Sequence, residues 1–230
     1  MVSTKITEVF SSIQGEGIYV GQPQIFVRFV ECNLSCDFCD TTKKRGKEYS
    51  VFELLDLINT INAPHAINSV SITGGEPLLY TDFLKPFLAQ LKKRHFKTYL
   101  ETNGTLPAAL DAILDSVDII AMDMKMPSAQ KKGKAFWTEH REFLNLAKKK
   151  KVFVKAVVTN KTTKEEIKKA VAIIDDCGYD IPLVLQPVTP ANRIKRKVPL
   201  SKLFEFQKLA KTVLSEVIII PQIHKILGVK

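Results

Sequence analysis

The stretch Glu31-Cys32-Asn33-Leu34-Ser35-Cys36-Asp37-Phe38-Cys39-Asp40-Thr41 gathers three of the chain's four cysteines at the spacing C-x3-C-x2-C. Thiolates this close in sequence can face one small object. A disulfide uses cysteines in pairs, and three leaves one over. The object is then a metal ion or a metal-sulfur cluster. A structural zinc site takes four ligands, usually from two separated C-x2-C-like hooks, and no second hook follows here. An iron-sulfur cube held by three cysteines leaves one iron without a protein ligand, open to an outside molecule. Chemistry can happen at that open iron.

Working outward, runs rich in β-branched and aromatic residues at 4–10 and 24–30 read as strands leading into the loop, with Gly15, Gly17 and Gly21 marking the turn between them. Beyond the loop, Ser50 with Glu53 gives a capping-box signal for a helix over 51–58. Strands at 69–72, 97–100, 117–122, 152–158, 183–185 and 217–220 then alternate with helices at 81–94, 107–114, 139–150, 164–177 and 201–214. Alternation of this kind means parallel pairing. Polar residues and glycines fall just after the strands, at Cys32, Thr73, Glu101 with Asn103, Asp123 with Lys125, and Gln186. That is the carboxyl edge, where parallel α/β sheets bind ligands, so separated motifs converge on one mouth. About six core strands are too few for a closed eight-unit barrel. The expected architecture is α/β, a partial (open) parallel β/α barrel in a single domain, 1–230.

The 230 residues are 45% hydrophobic and 25% charged, as in a soluble globular protein. No apolar run approaches the roughly 18 residues that span a bilayer, and Met1-Val2-Ser3-Thr4-Lys5 lacks the apolar core of a signal peptide. A cytoplasmic location with no membrane partner is the expectation. Clustered cysteines argue for a reducing compartment. Cys177 reads as a half-buried residue near a helix end, since a fourth ligand would close the reactive iron. A net charge of +10 raises the question of nucleic acid. The basic runs, at 43–47, 92–94, 131–134, 148–151, 164–169 and 193–202, are spread out with few aromatics between them. They read as a solvated surface, with no direct nucleic-acid partner, whose field favours anionic small ligands.

Thr73-Gly74-Gly75-Glu76-Pro77 resembles the GGEP loop of the radical S-adenosylmethionine enzymes, and the cysteine spacing resembles their signature. In those enzymes the open iron of a 4Fe-4S cluster takes the amino and carboxylate groups of S-adenosylmethionine. Within that superfamily, Phe10-Ser11-Ser12-Ile13-Gln14-Gly15-Glu16-Gly17, Phe26-Val27-Arg28, Cys39-Asp40-Thr41 and Gln222-Ile223-His224-Lys225-Ile226-Leu227-Gly228-Val229 jointly resemble the 7-carboxy-7-deazaguanine synthase family. The resemblance implies a lyase that contracts the ring of 6-carboxy-5,6,7,8-tetrahydropterin, with loss of ammonia, on the way to queuosine and other deazapurines. It further implies that Cys32, Cys36 and Cys39 hold the cluster and that Thr41 offers its hydroxyl to Mg2+. Phe38, Cys39, Asp40, Gly75, Asp123, Met124, Lys125, Gln186, Pro187, Val188 and Thr189 would contact S-adenosylmethionine. Ile13, Gln14, Gly15, Arg28, Thr73 and the C-terminal carboxylate on Lys230 would contact the pterin. Family members often read Ser-Pro-Lys where this chain has Asp123-Met124-Lys125. The same resemblance implies a homodimer and an external electron donor of flavodoxin or ferredoxin type.

The residues themselves agree. Glycines at 74 and 75 let backbone approach a methionine moiety closely. Mg2+ commonly uses one or two protein oxygens and completes its shell elsewhere, which suits a single Thr41. Arg28 shares a strand face with Phe26 and Val30, and a charge among apolar neighbours calls for a ligand. His65, His95 and His140 read as loop or surface residues, His224 as either a structural hydrogen bond or a substrate contact, and the tyrosines and Trp137 as packing. Two rival readings remain: a glycyl-radical activating protein or other small radical enzyme, and a basic zinc protein on nucleic acid.

Overall fold

The computed structural model describes residues 2–37, 39, 45–63, 67–131, 133–178, 180–190 and 196–229. Strand β1 (Ser3–Ile13) turns back into β2 (Pro23–Phe29) and pairs with it antiparallel, as it does with β3 (Lys47–Ser50). From β2 the sheet continues in parallel through β4 (Ser69–Gly74), β5 (Lys97–Thr102), β6 (Ile119–Asp123), β7 (Lys151–Val158), β8 (Leu183–Pro187) and β9 (Val217–Ile219). The order β3-β1-β2-β4-β5-β6-β7-β8-β9 leaves β3 and β9 as edges, so the barrel is partial and open. Helices α1 (Val51–Asn62), α2 (Thr81–Lys93), α3 (Pro107–Asp111), α4 (Trp137–Ala147), α5 (Lys164–Asp175), α6 (Leu200–Ala210) and α7 (Ile223–Leu227) complete it.

The strands that alternate with helices pair in parallel as expected, whereas β1 pairs antiparallel with β2 because the turn between them is shorter than the dozen or so residues a parallel crossover needs. Two elements were not expected at all: β3, whose Lys-Glu-Tyr-Ser carries no strand periodicity, and the five-residue α7. Helix α4 starts at Trp137, earlier than 139, and stops before Lys148 to Lys150, which form a turn. Strand β6 starts at Ile119 because a 3-10 turn at Leu114–Ser116 occupies the approach. The capping box predicted at Ser50 and Glu53 is formed, and Thr163 with Glu166 builds a second one at the start of α5.

Alternation along each strand divides two cores. Val27, Phe29, Val70, Ile72, Leu100, Ile120, Met122, Val154 and Leu185 face the helices, where Leu54, Leu84, Phe87, Phe143, Ile167 and Phe206 cover them. The opposite face of the same strands carries a smaller apolar cluster of Tyr99, Ile119, Ala121, Phe153 and Val184. Tyr99, Ala121 and Phe153 also line the mouth of the barrel, so this cluster is the floor of a cavity. Above it the inward positions turn polar: Arg28, Thr73, Glu101, Asp123, Lys155 and Gln186. A sheet that faces apolar helices on one side and polar groups on the other is built to present a site at one end.

Candidate active site

At the carboxyl edge the inward residues enclose a cavity of about 830 Å³ whose wall includes Cys32, Cys36 and Cys39. All four cysteines are free thiols. The loop carrying three of them is fixed from two sides. Asp37 N donates to Ala129 O at 3.1 Å, Lys131 N to Ser35 O at 3.3 Å, and Gln130 Nε2 to Cys36 Sγ at 3.2 Å. Asn103 bridges to Asn33 Oδ1 at 2.8 Å and lies 3.9 Å from Cys32 Sγ. Burial pushes the Cys32 and Cys36 thiols up, so loading a metal centre here releases protons. Among the described residues no three His, Cys, Asp or Glu side chains converge at single-ion distance. A cluster is wider than an ion, and its ligands stand around it without meeting at a point.

The GGEP loop packs directly against the entry to the cysteine loop. Gly75 N donates to Phe29 O at 3.0 Å and Glu76 N to Glu31 O at 2.7 Å. A Cβ on Gly75 would lie 2.0 Å from the Glu31 carbonyl oxygen. The close approach that demands glycine is therefore to backbone ahead of Cys32, before any ligand is considered. The Glu76 carboxylate is fully buried and accepts from Leu78 N at 3.1 Å, Thr102 Oγ1 at 2.8 Å and Asn103 N at 2.8 Å. Burial pushes its pKa up to about 7, opposed by those three donors. His140 holds the same segment from behind, with Nε2 at 3.1 Å from Asn103 O. It is not a surface residue as expected: it is fully buried, and burial lowers its pKa to about 4. His95 does lie exposed in a turn, with φ +61°. His65 lies outside the described residues.

The wall facing the cysteines is a hydrogen-bonded chain. Gln14 Nε2 donates to Glu101 Oε1 at 2.9 Å and to Gln24 Oε1 at 3.0 Å. Ser71 and Thr73 donate to Glu101 at 3.0 and 2.8 Å. Arg28 Nε stands 3.5 Å from Glu8, with its guanidinium over the Phe10 ring. Lys155 pairs with Glu16 and, at 3.3 Å, with Asp123, which also holds Lys125 at 2.8 Å. The C-terminal segment closes onto this wall: Gln222 Nε2 donates to Glu16 Oε1 at 2.6 Å, Ile223 N to Gly15 O at 2.9 Å, and a Cβ on Gly15 would strike the His224 ring. It thereby spans the open side of the barrel, from the β9 end back to the β1–β2 hairpin.

Burial works against the Glu16 carboxylate, but Lys155 and the Gln222 hydrogen bond bring its pKa down to about 2. A depressed carboxylate pKa contributes stability that is complete above the unfolded value, near 4.5, and is lost as pH falls toward 2. The difference corresponds to about 3 kcal/mol. Urea midpoints measured from pH 5 to pH 2 should fall more steeply for the parent protein than for Glu16→Gln. Equal slopes would contradict the assignment.

Of the residues the sequence singled out, Ile13, Gln14, Gly15, Arg28, Cys32, Cys36, Cys39, Thr73, Gly75, Asp123, Lys125, Gln186, Val188 and Thr189 line this one cavity. The Met124 side chain is instead buried in the helix-facing core. Pro187 is not part of the wall. Phe38, Asp40, Thr41 and Lys230 lie outside the described residues. Cys177 is more deeply buried than expected, with Sγ 3.2 Å from Ile173 O in α5, away from the cavity. Sequence reasoning missed Glu16 and Lys155. Lys155 had a signal, because it alternates with Phe153 and Val157 as Arg28 does with Phe26 and Val30. Two acceptors in the wall, Asp123 Oδ1 and Gln186 Oε1, are buried without a hydrogen-bond donor, which fits a cavity shaped for a polar ligand.

The family model described as Radical SAM superfamily matches residues 26–180, and with the open barrel and its rim cysteines this defines a radical S-adenosylmethionine enzyme. The superfamily implies a 4Fe-4S cluster and S-adenosylmethionine. Two curated relatives carry the name 7-carboxy-7-deazaguanine synthase. The one from Geobacter sulfurreducens is 41% identical over 97% of each chain, and the one from Methanothermobacter thermautotrophicus is 33% identical over 100% of this chain and 99% of its own. The chain belongs to the 7-carboxy-7-deazaguanine synthase family. Solved structures agree on the fold. QueE from Escherichia coli aligns at TM-score 0.65 and 21% identity over 96% of this chain and 95% of its own. Streptococcus suis SuiB bound to S-adenosylmethionine aligns at 0.59 and 18% over 83% of this chain and 45% of its own. No helix among the described residues is long and apolar enough to cross a membrane.

Proposed function

We propose that this chain is a carbon-nitrogen lyase that converts 6-carboxy-5,6,7,8-tetrahydropterin to 7-carboxy-7-deazaguanine with release of ammonia. The observation that carries the reading is the meeting, in one cavity, of three thiols at one wall with Arg28 and the Gln14–Glu101 chain at another. When bound, the cluster and S-adenosylmethionine supply a carbon radical able to take hydrogen from the substrate. Cys32, Cys36 and Cys39 hold the cluster. Gly75, Asp123, Lys125, Gln186, Val188 and Thr189 seat S-adenosylmethionine, with Phe38 and Asp40 beside Cys39. Asp123 Oδ1 and Gln186 Oε1 have acceptor capacity for its hydroxyl and amino groups.

Arg28 holds the pterin carboxylate by a charge-assisted contact. Ile13, Gln14, Gly15 and Thr73 orient the ring, and the Lys230 carboxylate closes over it. Thr41 offers one oxygen to Mg2+, with substrate oxygens completing the shell. The segment from Gln222 to His224 covers the turn at Gln14–Gly17 and limits the entry of water. A homodimer and a cytoplasmic location belong to the same reading.

Arg28→Met tests the substrate side. Loss of a hydrogen bond to a charged group costs about 1.5–3 kcal/mol. KM for the pterin should therefore rise about 10- to 100-fold, with the cluster's visible absorption unchanged. An unaltered KM would remove Arg28 from the site.

A further inference from the structure

Gln130 places a side-chain N–H on one of the three clustered thiols, and its surroundings hold it there. The residue is buried, and its Nε2 lies 3.2 Å from Cys36 Sγ. Residues 129–131 run antiparallel to residues 35–37, with Cys36 and Gln130 opposite each other in a β-bridge. The bonds that make the bridge flank this pair: Asp37 N donates to Ala129 O at 3.1 Å and Lys131 N to Ser35 O at 3.3 Å. Cys36 and Gln130 are therefore a non-hydrogen-bonded pair, the arrangement in which opposite side chains stand closest. The segment is tied down behind as well. Pro127–Ala129 form a 3-10 turn, Gln130 N donates to Pro127 O at 3.0 Å, and Ser128 N donates at 2.7 Å to Glu166 Oε1, from the carboxylate that closes the capping box of α5. Only one orientation of the Gln130 amide suits a thiolate: Nε2 brings a hydrogen to the sulfur, whereas Oε1 in its place would set lone pairs against lone pairs. Cys32 Sγ is served differently, by the backbone, with Leu34 N at 3.4 Å.

We propose that Gln130 is a positioning residue for the cluster: its amide N–H, bonded to the Cys36 thiolate, raises the cluster's reduction potential and so sets how readily radical generation begins. The inference rests on the radical S-adenosylmethionine reading of the three thiols but not on the identity of the substrate. The step concerned is the gain of one electron by the oxidised cluster from a low-potential one-electron reductant; no covalent bond forms or breaks. The added negative charge spreads onto the sulfur ligands, a hydrogen bond donated to one of them strengthens, and the reduced state is stabilised over the oxidised one. Groups that bond the ligands of a metal centre commonly tune it in this way.

The test changes the donor and reads the potential. Gln130→Met keeps the length and bulk of the side chain and removes its N–H; Gln130→Glu keeps the shape and sets an anion beside the sulfur. Ser128→Ala is the control, in the same turn, because the Ser128 hydroxyl makes no hydrogen bond. Each protein is reconstituted anaerobically with iron and sulfide and its iron counted. The cluster is then titrated with dithionite in the presence of redox mediators, without S-adenosylmethionine or pterin, and the reduced form is followed by its electron paramagnetic resonance signal. At a fixed applied potential the ratio of reduced to oxidised cluster should fall about three- to tenfold in Gln130→Met. A tenfold change is about 59 mV for one electron. The ratio should fall further in Gln130→Glu, and Ser128→Ala should match the parent in both iron and potential. Gln130→Asn, whose amide ends one methylene short of the sulfur, is read in place of Gln130→Met if that variant does not hold iron. The parent's potential in the variant without the donor overturns the proposal, as does an equal shift in Ser128→Ala. A parent protein that assembles no iron-sulfur cluster removes the radical reading itself, and the proposal with it.

Discussion

Alanine at Cys32, Cys36 or Cys39 is expected to abolish product formation, leaving protein that folds but retains neither the iron nor the brown colour of the reconstituted parent. Three thiolates are the whole protein contribution to the cluster in this reading, so the loss of one opens a second iron corner and the centre falls apart. The fold should survive, because Cys32 and Cys39 are exposed and Cys36 only partly buried. None of the three belongs to the helix-facing core. Cys177→Ala is the internal control. Its thiol packs behind α5, so it should lower stability modestly and leave the iron content unchanged. Iron analysis and unfolding curves on the four variants decide the matter. A variant of the trio that kept full iron and activity would contradict the ligand assignment.

Lys155→Met should give the largest loss of stability among single changes in the cavity wall. It leaves the Glu16 carboxylate without its cation, and breaking a buried pair by removing one partner typically costs about 3–5 kcal/mol. For a chain of this length that corresponds to a fall in Tm of roughly 10 °C. The double variant Glu16→Gln/Lys155→Met should recover much of the loss, because no uncompensated charge remains and Asp123 keeps Lys125. Activity should fall further in the double variant, where Gln222 loses its charged acceptor and the C-terminal segment loses part of its hold on the β1–β2 turn. Thermal melts of the two variants check this. A single variant within about 1 kcal/mol of the parent would show the pair to be a solvent-screened contact.

The division between what could and could not be read from the residues has a physical basis. Alternating helices and strands, the capping box at Ser50, and polar groups after each strand are local signals, and they gave the open barrel and its working edge. The cysteine spacing and GGEP loop are also local, and the structure brings both to one mouth. Glu16, Gln222 and Lys155 are distant in sequence and meet only when the C-terminus crosses the open side, so no window of sequence contains the contact. His140 lies on a helix whose polar composition suggests exposure, yet it is buried. Its partner, the Asn103 carbonyl, comes from another element.

The central claim is that these three thiols and this cavity together transform a carboxylated pterin. The direct measurement is anaerobic reconstitution with iron and sulfide, followed by incubation with S-adenosylmethionine, a reductant and 6-carboxy-5,6,7,8-tetrahydropterin. The account predicts 7-carboxy-7-deazaguanine and ammonia in equal amounts, dependent on all of these components. An intact cluster that cleaves S-adenosylmethionine yet leaves the pterin unchanged would contradict it.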